Sequence, residues 1–477
     1  MKKWIRGLAF AIILALLLGR TYQILSWKDT YGPYFSSVRQ LYHTDDDLMD
    51  VVFMGSSHAF FGVNPAVLWE QYGISSFVMG SCSQDMNMTY HFLKELLKTQ
   101  SPKVVCIDLY ALTYEVGGEA VEGDNIYRAT LSMNLSLNSL QLISKEVDEE
   151  EQLQHILRWP IIHTRYRELE QDDFEDSDFD HFGRGYYKIF LSGGSPGISE
   201  ELQSDTNVAE LSEECLEWLK TMIELSEEEG FELVFFLTPY NIEENESVWE
   251  RYNAVKQYAQ EQDIPVLDFF ALSDEIGLDY EQDFWNEYHL NSYGARKLTE
   301  YFGEYLHETL ELADHRGDDS YWQWEWDMED YLSEEQEYRM INAATSIDDF
   351  IDIVQNGSNL TYILTLCGDY WQYREDIAPV IAQFGIHLNE YPNGGTWLFV
   401  DGELQFIMDN SSEEVFVYEL DSESTLQIEN LSIRDPSVSV YENVKINGEA
   451  QMTAQNGMAI VVYDTYRHQT VGRIDYN

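Results

Sequence analysis

The 477-residue sequence predicts an α/β fold: a five-stranded parallel sheet covered by helices on both faces, followed by a smaller α/β domain. Three observations carry this expectation. Short apolar runs alternate with stretches of helical periodicity, several of those runs end in small or turn-forming residues, and the alternation stops and restarts after an acidic aromatic segment. At 44% apolar and 14% aromatic residues, there is enough side-chain surface for packed cores, which excludes a disordered or fibrous chain.

The elements follow in order. DVVFMGSS (50–57) reads as a buried strand ending in a turn, and Asn64-Pro65 opens a helix that Gly73 stops. SSFVMGS (75–81) is a second strand, 86–100 a second helix and KVVCIDLY (103–110) a third strand. Helix 209–230 leads into strand ELVFFLTPY (232–240), helix 246–262 into strand IPVLDFF (264–270), and helix 291–312 closes the unit. Strands separated by helices of this length must run parallel, and ligands then sit beyond the strands' carboxyl ends.

Two segments break the pattern. Residues 111–208 hold acid-rich stretches and the turn cluster LSGGSPG (191–197), and their position after a strand's carboxyl end suggests a cap inserted over the site. Residues 313–345 are charged and aromatic with no clean period and read as a connector. From Ser346 the pattern resumes with a helix (346–357), strand 360–368, helix 373–385, strand 395–402, further β runs in 414–421 and 438–448, and a closing hairpin over 457–477.

Lys2, Lys3 and Arg6 precede the apolar run Gly7–Gly19, which flanking residues extend to about 20. This is an export signal, read as an uncleaved anchor over residues 1–28 because no small-x-small cleavage site follows. The positive flank stays inside, which puts the remaining chain outside the cytoplasmic membrane. Twenty-eight Lys and Arg against 86 Asp and Glu give a net charge of −58. Such a field repels phosphate backbones and excludes nucleic-acid binding. Cys82, Cys106, Cys215 and Cys367 have neither zinc nor disulfide spacing, and His155, His163 and His181 have no metal spacing. No metal or organic cofactor is implied.

Chemistry gathers in the first domain. Ser57, in Gly55-Ser56-Ser57-His58, follows a buried strand, and His289, in DFWNEYHLNSYGARKL (283–298), precedes the last helix. They are 232 positions apart, yet a parallel sheet puts both on one rim, hydroxyl nucleophile and imidazole base.

These blocks resemble the SGNH (GDSL-like) hydrolases, particularly their membrane-anchored bacterial envelope members, over about residues 48–310, and imply a flavodoxin-like sheet within domain 29–312. The resemblance implies Ser57 as nucleophile, the N–H groups of Ser57 and Gly80 as oxyanion donors, and His289 as base. The chain departs from the family twice. Asn286 stands where the family has aspartate three residues before the histidine, so Asp283, the preferred stand-in, or Glu287 orients the imidazole, or Asn286 or a backbone carbonyl completes a dyad, or the site is impaired. The family's Gly-x-Asn-Asp block is also missing, which leaves Asn87 as the candidate third donor. His58, Tyr110, Arg184 and Tyr187 are candidate substrate contacts, with ordinary packing as the alternative. The segments 349–369, 382–385, 395–402 and 457–477 resemble the interleukin-like EMT inducer domain, which implies a binding or docking module over 346–477.

The expected function is an anchored extracytoplasmic esterase or O-acyltransferase acting on acyl, chiefly acetyl, esters of envelope polysaccharide. A transferase adds a membrane acyl-donor protein as partner. The alternative is a non-catalytic glycan-binding or envelope-assembly protein on a degenerate SGNH scaffold.

Overall fold

Val51–Gly55 (β1), Ser76–Gly80 (β2) and Val104–Asp108 (β3) are buried at every position, as their unbroken apolar runs require of strands covered on both faces. With Glu232–Leu237 (β4) and Val266–Asp268 (β5) they form a parallel sheet in the order β2-β1-β3-β4-β5. The fold class is the one predicted. In this computed structural model the described residues are 2–26, 37–114, 123–167, 169, 174, 183–242, 245–310, 312–343, 360–367, 370–400, 402–412, 414–421, 424–429, 444–451, 457–465 and 469–476.

Strand alternation divides the first core in two. Val52, Met54, Met79, Ile107 and Phe235 face one way, against helices Met86–Leu96, Glu213–Glu229 and Glu246–Glu261. Val51, Phe53, Val78, Cys106 and Phe236 face the other, against Ser57–Gly62 (α1), Pro65–Tyr72 (α2) and Ser292–Leu310 (α3). Helix starts obey local chemistry. Asn64 caps α2 by accepting from Ala66 N–H at 3.0 Å, with Pro65 first in the helix and Gly73 left-handed at its end. The antiparallel pair Phe284–Asn286 (β6) and His289–Leu290 (β7) stands before α3.

The chain divides into two compact units, Met1–Tyr331 and Leu332–Asn477. The acidic aromatic stretch read as a connector contains a 22-residue helix, Trp322–Ala343 (α4). Its start buries Trp324, Asp327 and Tyr331, a face of rings and one carboxylate that a simple apolar count does not register. The N-terminal helix Lys2–Leu25 contains a 20-residue stretch, Arg6–Leu25, long and apolar enough to cross a membrane.

In the second unit, strands Leu360–Cys367 (β8), Gly395–Val400 (β9), Glu403–Asp409 (β10), Gly457–Asp464 (β15) and Gln469–Tyr476 (β16) form an antiparallel sheet ordered β10-β9-β8-β15-β16. One face carries Tyr362 and Phe399, stacked 4.7 Å apart, against Phe384 just beyond helix Arg374–Gln383. The other packs Ile363, Leu398 and Val461 on Leu426, Ile428 and Val444 of a second sheet, built from Val415–Glu419 (β11), Thr425–Glu429 (β12), Val444–Ile446 (β13) and Glu449–Ala450 (β14). The expected helix at 346–357 and most of the run 438–448 lie outside the described residues.

Candidate active site

Two adjacent serines end β1 and divide the work. Ser56 caps α1, its Oγ accepting from His58 N–H at 3.4 Å. Ser57 is the helix's first residue, where a backbone N–H has no intrahelical acceptor. That N–H has no hydrogen-bond partner among the described residues. The approach of β3 requires glycine at position 55, since a Cβ there would lie 2.7 Å from Asp108 Cβ.

Ser57 Oγ lies 2.9 Å from His289 Nε2. The tautomer follows from the next residue along. Asn286 Oδ1 accepts from the backbone N–H groups of Tyr288 at 2.9 Å and His289 at 3.0 Å, which fixes its oxygen toward the ring. His289 Nδ1 is 3.1 Å from that same oxygen and must carry the proton. Nε2 therefore keeps its lone pair, and Ser57 O–H donates to it. A hydroxyl so placed can attack an acyl carbonyl as the imidazole removes its proton.

Burial lowers the His289 pKa to about 4, so the ring is neutral at ordinary pH. Rings enclose it: Phe61 at 4.8 Å, His58 at 5.3 Å and Trp285 at 5.9 Å between centroids. Burial, and secondarily the charge His289 takes on when protonated, hold His58 well below its usual pKa. His58 stacks on Tyr110 at 4.2 Å and Tyr240 at 4.6 Å, and its Nδ1 is buried without a partner among the described residues.

A scan against protein-family models and a search of curated proteins each returned no match. Solved structures similar to the chain include a provisionally assigned lipolytic protein of the G-D-S-L family from Desulfitobacterium hafniense, 18% identical, covering 53% of this chain and 97% of its own, TM-score 0.27. Another is a provisionally assigned acylhydrolase from Bacteroides fragilis, 13% identical, covering 57% of this chain and 95% of its own, TM-score 0.27.

Several expected site residues are engaged elsewhere. The Asp283 carboxylate accepts from Lys297 Nζ at 2.6 Å and Asp279 N–H at 2.7 Å, so it braces the loop, and Asn286 holds the imidazole instead. The cause is register: Asn286 pairs with His289 across β6 and β7, whereas Asp283 precedes the paired segment. Glu287 Oε2 accepts from Asn241 Nδ2 at 3.1 Å. Gly80 N–H donates to Ser37 Oγ at 2.7 Å, which removes it as an oxyanion donor. Asn87 Nδ2 donates to Glu146 and is likewise committed.

Arg184 is buried and left-handed. It donates to Asp327 Oδ2 at 2.5 Å, Thr44 Oγ1 at 3.2 Å and Gln323 Oε1 at 3.3 Å, so it holds the fold together and is removed from the candidate substrate contacts. Tyr187 packs edge-on against Phe61 at 5.1 Å, one ring removed from His289, and Tyr110 reaches the site through His58. Sequence reading missed Phe61, Tyr240 and Trp285. Phe61 and Trp285 neighbour the two blocks in the chain, and that adjacency was the available signal.

Asp108, at the end of β3, is a further unforeseen group. Its Oδ1 accepts from Tyr110 N–H at 3.2 Å, its Oδ2 has no partner among the described residues, and burial raises its pKa to about 7. Among the described residues no group of three or more His, Cys, Asp or Glu side chains gathers as a metal centre.

Proposed function

We propose that this chain is an extracytoplasmic serine esterase or O-acyltransferase acting on acyl esters, chiefly acetyl, of envelope polysaccharide, held to the membrane by its N-terminal helix. The observation that carries the reading is the relay from Asn286 Oδ1 through His289 to Ser57 Oγ, at 3.1 and 2.9 Å. Ser57 Oγ bonds to the acyl carbon while His289 Nε2 takes the hydroxyl proton, and the Ser57 N–H stabilises the oxyanion. The imidazolium returns its proton to the departing sugar oxygen, leaving an acyl-serine. Water then attacks the acyl-serine, releasing the acid and restoring the Ser57 hydroxyl. In the transferase a membrane acyl donor acylates Ser57 instead, and a sugar hydroxyl attacks that acyl-serine, taking the acyl group as Ser57 Oγ leaves and regains its proton. Residues 346–477 are proposed as a glycan-docking module.

A second reading, a non-catalytic glycan-binding or assembly protein, draws support from the engagement of Gly80 N–H and Asn87 Nδ2 elsewhere. Loss of one oxyanion donor costs about 10²–10³ in rate. Fluorophosphonate labelling separates the readings. Wild type is expected to label covalently, with Ser57→Ala and His289→Ala reduced to background. Folded wild-type protein that stays unlabelled favours the non-catalytic binding protein.

A further inference from the structure

A cavity of about 420 Å³ opens in the first unit, formed by the turn at Arg316–Asp319, the start of α4 and the indole of Trp69. This volume lies within the range of small-molecule sites, about 300–1,000 Å³. Two features of its wall are unusual together. Trp322 and Trp326, one turn apart on α4, are 45% and 40% exposed with ring centroids 5.9 Å apart, and both indoles line the cavity. Four exposed carboxylates, Asp318, Asp319, Glu325 and Glu329, line it as well.

Among the described residues the only cation of the lining is Arg316, and Asp314, which is not part of the lining, takes its guanidinium at 2.9 Å through Nε and 2.6 Å through Nη2. Glu325 Oε2 is fixed by the indole N–H of the buried Trp69 at 2.8 Å, so one carboxylate is held in place beside the rings. Aromatic faces attract a cation through their quadrupole, and carboxylates add charge-assisted hydrogen bonds when the cation carries N–H groups. A neutral sugar would use the rings and leave most of this charge unanswered. A bare metal ion would use the carboxylates and leave the indoles without purpose.

We propose that this cavity binds an organic ammonium group seated against Trp322 and Trp326. The site is independent of the Ser57–His289 reading. Two sources present that chemistry, an amino sugar of a de-N-acetylated glycan and a small quaternary amine, and probes can tell them apart.

The test is calorimetric titration of the full chain in a non-ionic detergent, with three probes: glucosamine trisaccharide, its fully N-acetylated counterpart, and choline chloride. Saturable binding is expected for at least one ammonium probe, with the N-acetylated sugar at least about tenfold weaker. Tighter binding of the trisaccharide assigns the amino sugar; tighter binding of choline assigns the small amine. Trp322→Ala and Trp326→Ala should each weaken binding by about tenfold. Glu329→Gln should weaken it as well, with the thermal melt of all three variants unchanged. Glu329→Gln alters one exposed side chain and tests the site even if an indole variant misfolds. Equal affinity for the N-acetylated sugar, no binding of either ammonium probe, or unaltered affinity in the folded variants overturns the proposal.

Discussion

One amide oxygen decides the state of the catalytic candidate. Asn286 Oδ1 takes three N–H groups, two from the backbone and the third from the imidazole Nδ1, which fixes the proton there, while burial keeps the ring neutral. An aspartate in this place would raise the pKa of its histidine and stabilise imidazolium; an asparagine orients the ring and leaves burial to lower the pKa to about 4. The sign of the pH effect follows. Base function is present above about pH 4 and is lost as the ring protonates below it. In Asn286→Asp the same three donors meet a carboxylate. The acid limb of ester turnover should then move up by at least about one pH unit and kcat/KM near pH 8 should rise on the order of tenfold. A pH–rate profile that coincides with wild type removes Asn286 from the orienting role. Asn286→Ala, which leaves Nδ1 without its acceptor, should lower turnover far more than Asp283→Asn, whose carboxylate serves Lys297.

The start of α4 is anchored by a charge pair inside the protein. Arg184 and Asp327 are 2% and 5% exposed, and burial raises the Asp327 carboxyl despite the guanidinium beside it, so desolvation is not fully offset. Arg184→Ala or Asp327→Ala alone should destabilise the first unit by about 3–5 kcal/mol, because each leaves one charge buried and unpaired. The double change Arg184→Met with Asp327→Leu should recover most of that loss in a denaturant titration, and a double variant no better than the singles contradicts the account. This pair also marks where sequence reading ran out. The five strands were legible because buried parallel strands are written as short apolar runs, and the Ser57–His289 meeting was legible because a parallel sheet collects strand ends on one rim. The fate of Gly80 N–H was not, since its acceptor, Ser37, lies 43 positions earlier and belongs to no recognisable pattern. Nor was the role of Arg184, whose partners Thr44, Gln323 and Asp327 come from sequence 139 or more positions away. Asn286 was legible only as a departure; that it works through a tight β6–β7 pairing depends on a register the loop's composition does not specify.

At the scale of the whole chain the net charge of −58 dominates. Self-repulsion of this size opposes the compact state and is screened by salt, with a Debye length of about 10 Å at 0.1 M. The apparent Tm should therefore rise by several degrees between about 20 mM and about 500 mM sodium chloride, measured by calorimetry. A melting temperature indifferent to salt argues that the acidic groups are already neutralised by bound cations.

The excursion between β3 and β4 packs against β2, α1 and β6 where it returns. Gly185 lies so close to the Val78 carbonyl that a Cβ would stand 1.9 Å away, Tyr187 N–H donates to Phe60 O at 2.9 Å, and Gly193 N–H donates to Phe284 O at 2.9 Å. Anyone paring this protein down to its Ser57–His289 pair and the sheet beneath it would be tempted to excise the whole detour. The cut would remove the chain packed on Val78, the hydrogen bonds to Phe60 and Phe284 and the tyrosine that backs Phe61, so a smaller version that preserves the Ser57–His289 pocket must keep the final third of the loop even if the remainder is discarded.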